Sequence, residues 1–274
     1  MSTLATGLVS ITFRQLAPAE IIALVVQAGL TGIEWGGDVH VPHGDAARAR
    51  LVRQQTDAAG LHVAAYGSYY RVGHSESGPF DAVLASAVAV GAPLIRVWAG
   101  KQGAATADTA YWDTVVQDSV QIAELAASEG IAVAYEFHRN TLTDSYATAQ
   151  QLLLRAAHPN LFTYWQPPWH ATVAENLAGL AQLAPWLWHA HVFHWRWQDG
   201  VRLPLADGHA DWRAYLRQIQ AMASPPRDST IIDTTRFAML EFVADDSPAQ
   251  FLRDAQTLQQ WLASSDRADT ATRQ

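Results

Sequence analysis

The chain has 274 residues, of which 49% are hydrophobic and 16% are charged, enough for one large globular domain with a sizeable core. This composition excludes a mainly disordered chain. The 26 acidic residues exceed the 18 basic ones, and the resulting formal charge of -8 leaves no basic surface for phosphate backbones or anionic lipids. We therefore expect neither a nucleic acid nor a membrane as a partner.

The chain contains no cysteine, so it has neither disulfides nor thiolate metal ligands. A transition metal would have to be bound by His, Asp or Glu side chains. No stretch approaches the ~20 apolar residues of a membrane span, and residues 1–7 lack the features of a signal peptide. We expect a soluble protein of the cytoplasm.

Short β-rich segments alternate along the chain with longer Ala/Leu-rich segments of helical period, which is the pattern of repeated βα units. The eight predicted strands are Leu8–Phe13, Gly32–Trp35, His62–Gly67, Leu94–Trp98, Ala132–Phe137, Leu161–Gln166, Trp188–Phe193 and Phe237–Val243. The helices predicted after them are Pro18–Ala28, Asp45–Ala59, Phe80–Val90, Thr109–Glu129, Asp144–Ala156, Val173–Ala184, Ala210–Ala221 and Pro248–Ala263. Four helices end at a glycine of the kind that forms left-handed C-caps: Gly29, Gly60, Gly91 and Gly130.

Eight βα units in about 250 residues predict an α/β protein with a single (β/α)8 TIM barrel over residues 1–263. A doubly wound sheet would have fewer strands and a Gly-rich phosphate turn, which the sequence lacks. No linker or charge run divides the chain, so one domain is expected. Residues 264–274 are polar and without periodicity, and are predicted to form a flexible tail.

The chemistry of such a barrel lies at the carboxyl ends of its strands. Two glutamates there, Glu136 and Glu241, each interrupt an apolar strand, where an ionised carboxylate is costly unless it is paired, hydrogen-bonded or bound to a cation. Ordinary structural ion pairs are the alternative explanation. His191 is predicted at the same rim, and an imidazole with carboxylates suits Mn, Mg, Co or Zn.

The order of these residues resembles that of the xylose-isomerase-like TIM-barrel superfamily, in particular its sugar (phosphate) isomerase/epimerase branch. The shared pattern is Glu on the fifth strand, a polar residue ending the sixth, His-x-His on the seventh and Glu on the eighth. The resemblance implies one divalent metal ion, bound by Glu136, Gln166, His191 and Glu241. The segment from Arg202 to a tryptophan ten residues later is similar to the family's loop after the seventh strand, which implies that Arg202 contacts substrate oxygens.

Gln166 departs from the family pattern, which has aspartate at this position and histidine three residues later. Here His170 comes one residue late, after two prolines and a tryptophan. A glutamine carbonyl can bind a hard cation but brings no charge, so we expect weaker metal binding. Gln166 is either a weak ligand and substrate hydrogen-bond donor or a buried amide satisfied by neighbouring backbone.

Residues and resemblance together imply a sugar isomerase or epimerase that acts through an enediolate, with Glu136 and Glu241 as acid and base. A lyase or dehydratase of a keto-sugar or inositol-like substrate would use the same chemistry. A catalytically silent sugar-binding barrel is a third hypothesis, because Gln166 weakens the site. An endonuclease of the same superfamily would need more metal ligands and a basic groove for DNA.

Several further residues are predicted to bind a carbohydrate substrate: Glu34, Trp35, His40, Arg96, His138, Trp169, His170 and Arg202. Tryptophans cluster near strand ends, where indoles pack on sugar C–H faces: Trp35, Trp98, Trp165, Trp169, Trp195 and Trp197. They could instead cap the barrel or bury the interface of a homodimer. His40 or His43 could move a proton near neutral pH, and His138 and His194 could orient metal ligands.

Overall fold

The computed structural model describes residues 4–74, 76, 78–168, 171–223 and 235–271. Its strands are β1 (Ala5–Val9), β2 (Gly32–Gly36), β3 (His62–Arg71), β4 (Leu94–Trp98), β5 (Ala132–Tyr135), β6 (Leu161–Trp165), β7 (Leu187–Val192), β8 (His194–Arg196), β9 (Val201–Leu203) and β10 (Phe237–Leu240). Its helices are α1 (Pro18–Gln27), α2 (Ala46–Ala58), α3 (Phe80–Val90), α4 (Thr109–Ser128), α5 (Tyr146–Ala156), α6 (Val173–Leu183), α7 (His209–Ala221) and α8 (Pro248–Ala271).

Eight of these strands close into a parallel barrel, in the order β1-β10-β7-β6-β5-β4-β3-β2. The barrel closes at β1, where Gly7 is in register with Met239 of β10 on one side and Gly32 of β2 on the other. The predicted single (β/α)8 TIM barrel is thus confirmed. Since all eight strands run the same way, their carboxyl ends meet at one end of the barrel. The polar residues predicted at the strand ends lie at this end.

The strands are buried on both faces, as strands of a parallel barrel are. One apolar layer fills the barrel and includes Phe162, Trp188 and Met239, while the larger one lies between strands and helices. Several helices begin at a polar N-cap whose side chain accepts a hydrogen bond from the backbone three residues on, as Asp45, Asp108, Ser145 and Thr172 do. The four predicted C-cap glycines have positive φ angles, from 67° to 74°.

Besides shifts of one to four residues at the ends of other elements, the structure differs from the predicted elements at three places. The first strand is Ala5–Val9, and Ser10–Phe13 forms a 3-10 helix, because pairing with β2 ends at Val9. The hairpin of β8 and β9 was not predicted, since strands of three residues are too short to show a period. Helix α8 continues to Ala271, beyond the predicted Ala263, because no glycine or proline interrupts that stretch.

Within the described ranges, no helix combines the length and the apolar character that crossing a membrane requires.

Candidate metal and substrate site

Three buried side chains converge at the carboxyl end of the barrel. Glu136 directly follows β5, His191 lies in β7 and Glu241 directly follows β10. One potential ligand atom from each lies within 4.8 Å of the other two. Gln166, which follows β6, places its Oε1 3.3 Å from Nδ1 of His191. The structure therefore brings together all four residues of the predicted metal set.

The carboxylate of Glu136 is held by the protein mainly through one oxygen. Its Oε2 accepts hydrogen bonds from Nη1 of Arg96 and, at 2.5 Å, from Nε1 of Trp98. Oε1 accepts a long hydrogen bond of 3.5 Å from Nε2 of Gln166, and this amide also donates to the carbonyl of Phe137. Oε1 is thus the Glu136 oxygen that is more available to a ligand.

Glu241 is buried but less well satisfied. Its Oε2 lies 3.3 Å from Nδ1 of His191 without the alignment of a hydrogen bond, and it accepts no hydrogen bond from any described residue. A buried carboxylate oxygen without a donor is costly unless another positive group is supplied. The space next to Nδ1 of His191 is where such a group would lie.

A buried ion-pair network lies beneath these three residues. Glu34 of β2, 0% exposed, accepts a hydrogen bond from Nε of Arg96 at 2.7 Å, and its Oε2 lies 3.3 Å from Nε2 of His191. Burial would raise the pKa of Glu34, but Arg96 and His191 outweigh it and hold this pKa well below its usual range. Burial would lower the pKa of His191, but Glu241 and Glu34 raise it to about 10.

The residues present fit a divalent cation. The donor set comprises two carboxylates, one imidazole nitrogen and one amide oxygen, which suits hard or borderline metals. The Oε2 of Glu241, which accepts no hydrogen bond from the described residues, is the independent structural sign that a further positive group fits here. The cluster of Glu136, His191 and Glu241 could therefore bind a metal ion.

A cavity of about 370 Å³ opens above this cluster. Its aromatic lining consists of Tyr69, Trp98, Phe137, Phe193, Trp195, Trp197 and Phe242. Its titratable lining, besides Tyr69, consists of Arg14, Arg96, Glu136, His138, Arg139, Asp144 and Glu241. This combination suits a ring-sized molecule that also carries oxygen substituents or negative charge.

The predicted substrate-binding residues divide between the cavity and its surroundings. Arg96 and His138 line the cavity. Glu34 lies below it, within the ion-pair network. His40 is buried against Ser10, with its Nδ1 2.9 Å from the hydroxyl oxygen, and burial lowers the pKa of His40.

Two tryptophans predicted at the rim lie instead in the layer between strands and helices. Trp35 is fully buried there, because successive residues of β2 face opposite ways and Glu34 takes the inward direction. Trp165 packs against Trp212 and Tyr215 of α7, with ring centroids 5.8 and 5.1 Å away. Neither side chain lines the cavity.

Arg202 lies in β9, where it pairs with Asp246 and covers the ring of Phe242, 5.0 Å from the ring centroid. It is next to a cavity-lining residue, and its contact with substrate stays a prediction. Trp169 and His170 lie outside the described residues, so their predicted roles also stay predictions.

Arg14 and Tyr69 are among the cavity residues that were not predicted. Arg14 follows the 3-10 helix and donates from Nε to Asp38 at 2.8 Å and from Nη2 to the Tyr69 hydroxyl at 2.7 Å. Tyr69 has a φ of 55°, unusual for a tyrosine, at an irregularity in the pairing of β3 with β4. The position of Arg14 directly after a predicted strand could have indicated that it lies at the cavity. No local sequence pattern predicts the positive φ of Tyr69.

A family model described as a xylose isomerase-like TIM barrel matches residues 22–225. The chain belongs to this family. The resemblance noted in the sequence is thereby confirmed, and the closed barrel agrees with it.

Individual members of this fold differ in activity. A 3-dehydroshikimate dehydratase from Bacillus anthracis is 32% identical over 103 residues, which is 35% of this chain and 35% of the relative. The chain thus aligns with about a third of that curated protein. Among solved structures, a probable 3-DHS dehydratase from Bacillus anthracis superposes with a TM-score of 0.78 at 21% identity, covering 93% of this chain and 99% of its own.

An L-ribulose 3-epimerase structure superposes with a TM-score of 0.71 at 15% identity, covering 98% of both chains. At these identities the two superpositions establish the fold. The fold family therefore includes both epimerases and dehydratases.

Proposed function

We propose that this protein is a divalent-metal-dependent dehydratase that removes water from a hydroxylated ring ketone bearing a carboxylate, of which 3-dehydroshikimate is the model substrate. The observation that carries the proposal is the position of two buried carboxylates and an imidazole around one possible cation position, at the foot of an aromatic-lined cavity. The sequence similarity to a 3-dehydroshikimate dehydratase supports the choice of substrate.

The reaction requires a base and a polarised carbonyl. In a ketone with a hydroxyl group on the β carbon, loss of the α proton is followed by cleavage of the β C–O bond, and the hydroxyl leaves as water once protonated. In 3-dehydroshikimate the remaining ring tautomerises to an aromatic dihydroxybenzoate. A divalent cation bound at the cluster would stabilise the negative charge that develops on the carbonyl oxygen.

Glu241 is the best-placed base among the described residues. It lines the cavity and its Oε2 accepts no hydrogen bond there, so one carboxylate oxygen can bind the cation while the other takes a substrate proton. Glu136 is less suited, since Arg96 and Trp98 already donate to its Oε2. His138 and Arg14, which line the cavity, would bind substrate oxygens and the carboxylate.

A sugar isomerase or epimerase is the second candidate. It is supported by the presence of two glutamates from separate strands at one cavity and by the fold shared with the epimerase. Epimerisation by proton transfer on opposite faces of the substrate requires two acid/base groups. The hydrogen bonds that hold Glu136 make it a poor second group, which is why dehydration is preferred here.

Turnover of 3-dehydroshikimate tests the proposal. Metal-stripped protein should be inactive. After addition of Mn²⁺, Mg²⁺, Co²⁺ or Zn²⁺ it should convert the substrate to an aromatic acid, which is detected by its ultraviolet absorbance. The Glu241→Gln variant is the control for contaminating activity. A panel of ketoses followed by solvent deuterium uptake tests the second candidate.

If a ketose takes up deuterium while the ring ketone loses no water, the proposed dehydratase activity is wrong and an isomerase or epimerase activity takes its place. Sugar binding without turnover and without any effect of metal would favour the catalytically silent barrel.

A further inference from the structure

We infer that Glu34 and Arg96 form a brace beneath the metal position that turns Nδ1 of His191 and Oε1 of Glu136 toward the cation. The inference rests on the proposed metal dependence and assigns Glu34, predicted from sequence to bind substrate, a positioning role. The residues of the brace and the two that it acts on are at most 5% exposed: Glu34, Arg96, Glu136 and His191.

The first half of the brace acts on His191. Oε2 of Glu34 lies 3.3 Å from Nε2 of the imidazole, while Nδ1 faces Oε1 of Gln166 and Oε2 of Glu241, both 3.3 Å away. A carboxylate that accepts the Nε2–H leaves the lone pair of the neutral ring on Nδ1. When a metal takes the place of the Nδ1 proton, Glu34 thus keeps the remaining proton on Nε2, and Nδ1 is free to bind the metal on the side of Glu241.

The second half acts on Glu136 through Arg96. The guanidinium donates from Nε to Glu34 and from Nη1 to Oε2 of Glu136. Arg96 is 2% exposed, and its guanidinium reaches from β4 to Glu34 of β2 on one side and to Glu136, which follows β5, on the other. With Oε2 engaged, also by Trp98, Glu136 would bind a cation through Oε1 alone.

Space for the brace is provided by Gly67 of β3. A Cβ atom at this position would lie 2.7 Å from Nη2 of Arg96 and 2.7 Å from Oε1 of Glu34. Such contacts are far inside van der Waals distance. The ion pair and the glycine therefore form one packed unit, and the two charged groups have little freedom to reorient.

Calorimetric titration with Mn²⁺ alone tests the brace without any substrate. Glu34→Gln should weaken Mn²⁺ binding about 10- to 100-fold, the usual effect of removing a carboxylate that orients a metal-binding histidine. Asp254→Asn is the matched control, since this carboxylate is also buried and accepts hydrogen bonds from Leu205 N and Gln250 Nε2, away from the cluster. It should bind Mn²⁺ as the unmodified protein does.

Thermal unfolding of the same two variants separates positioning from general stability. Asp254→Asn should lower the melting temperature as Glu34→Gln does, because each substitution alters a buried carboxylate that accepts hydrogen bonds. Mn²⁺ binding should be at least tenfold weaker in Glu34→Gln alone. Equal Mn²⁺ affinities of the two variants would overturn the inference, as would a Glu34→Gln variant with unchanged affinity.

Nitrogen-15 NMR of His191 in the unmodified protein tests the same point if these variants do not fold. With Mg²⁺ or Zn²⁺ added, Nε2 should carry the proton and Nδ1 should show the shift of a metal-bound nitrogen. A proton on Nδ1 and a metal-bound Nε2 would overturn the inferred brace but leave the proposed metal dependence standing. Failure of the unmodified protein to bind any of the metals would overturn both the brace and the proposed metal dependence.

Discussion

Glu136 and Glu241 approach the same point from β5 and β10, yet the protein holds their carboxylates in different ways. Oε2 of Glu136 accepts hydrogen bonds from Arg96 and Trp98, whereas Oε2 of Glu241 accepts none from the described residues. Two glutamates that look equivalent in the sequence are therefore chemically unequal. The difference in hydrogen bonding favours a site in which Glu241 alone acts as the base over a site in which both glutamates transfer protons.

Substitution of the two glutamates should consequently have different effects. Glu241→Gln removes the proposed base and should lower kcat about 10²- to 10⁴-fold even when metal is saturating. Glu136→Gln should act first on Mn²⁺ affinity, and excess metal should restore part of the activity. Turnover and calorimetric Mn²⁺ titration of both variants check this. Equal losses of kcat at saturating metal would point to two acid/base groups and thus to the epimerase.

The stability of the metal-free protein should depend on pH through His191. Its pKa is raised from 6.5 to about 10 by Glu241 and Glu34 against the effect of burial. The stabilisation is thus fully present below about pH 6.5 and is lost as the pH rises through about 10. Glu34 has a lowered pKa, so its contribution is lost only in acid, as the pH falls below its unfolded value of 4.5.

Thermal unfolding of chelator-treated protein between pH 6 and 10 measures this effect, with His191→Gln as the variant that lacks the titrating group. The melting temperature of the unmodified protein should fall toward that of the variant as the pH increases. Mn²⁺ affinity should rise over the same range, because the metal competes with a proton for His191. A constant difference in melting temperature would contradict the ion-paired state of His191.

Arg14 should determine preference for an anionic substrate. Asp38 and the Tyr69 hydroxyl fix its guanidinium at the cavity, where it can also contact a carboxylate. Arg14→Gln should raise KM for 3-dehydroshikimate about tenfold or more, with a smaller change in kcat. Arg50→Gln, an exposed substitution on α2, is the control. An unchanged KM would assign the carboxylate to other residues.

Gly67→Ala should be destabilising although the added group is small. The Cβ atom would overlap Arg96 and Glu34, each 2.7 Å away, and buried overpacking typically costs about 1–3 kcal/mol. Gly200→Ala is the comparison, since open space surrounds that position and only its φ of 69° opposes alanine. Denaturant unfolding of both variants checks the difference. Equal stability of Gly67→Ala and the unmodified protein would refute tight packing of the brace.

Much of the fold and the centre of the site could be predicted from the sequence. Strand and helix periods are local properties, and eight alternating units of this length leave few architectures. In a parallel barrel the carboxyl ends of all strands share one end, so Glu136, His191 and Glu241 were expected at one rim. The apolar strands around the two glutamates were the decisive signal, because an isolated buried charge is so costly.

The partners of these residues were decided by the tertiary structure. Whether Glu34 contacts substrate or His191 depends on how far its strand is shifted against its neighbours, and Trp35 faces away because the same register turns Glu34 inward. Arg14 and Tyr69 reach the cavity through a 3-10 helix and a strand irregularity that carry no periodic signal. The sequence by itself determined which residues end the strands, whereas barrel closure determined which atoms of those residues face one another.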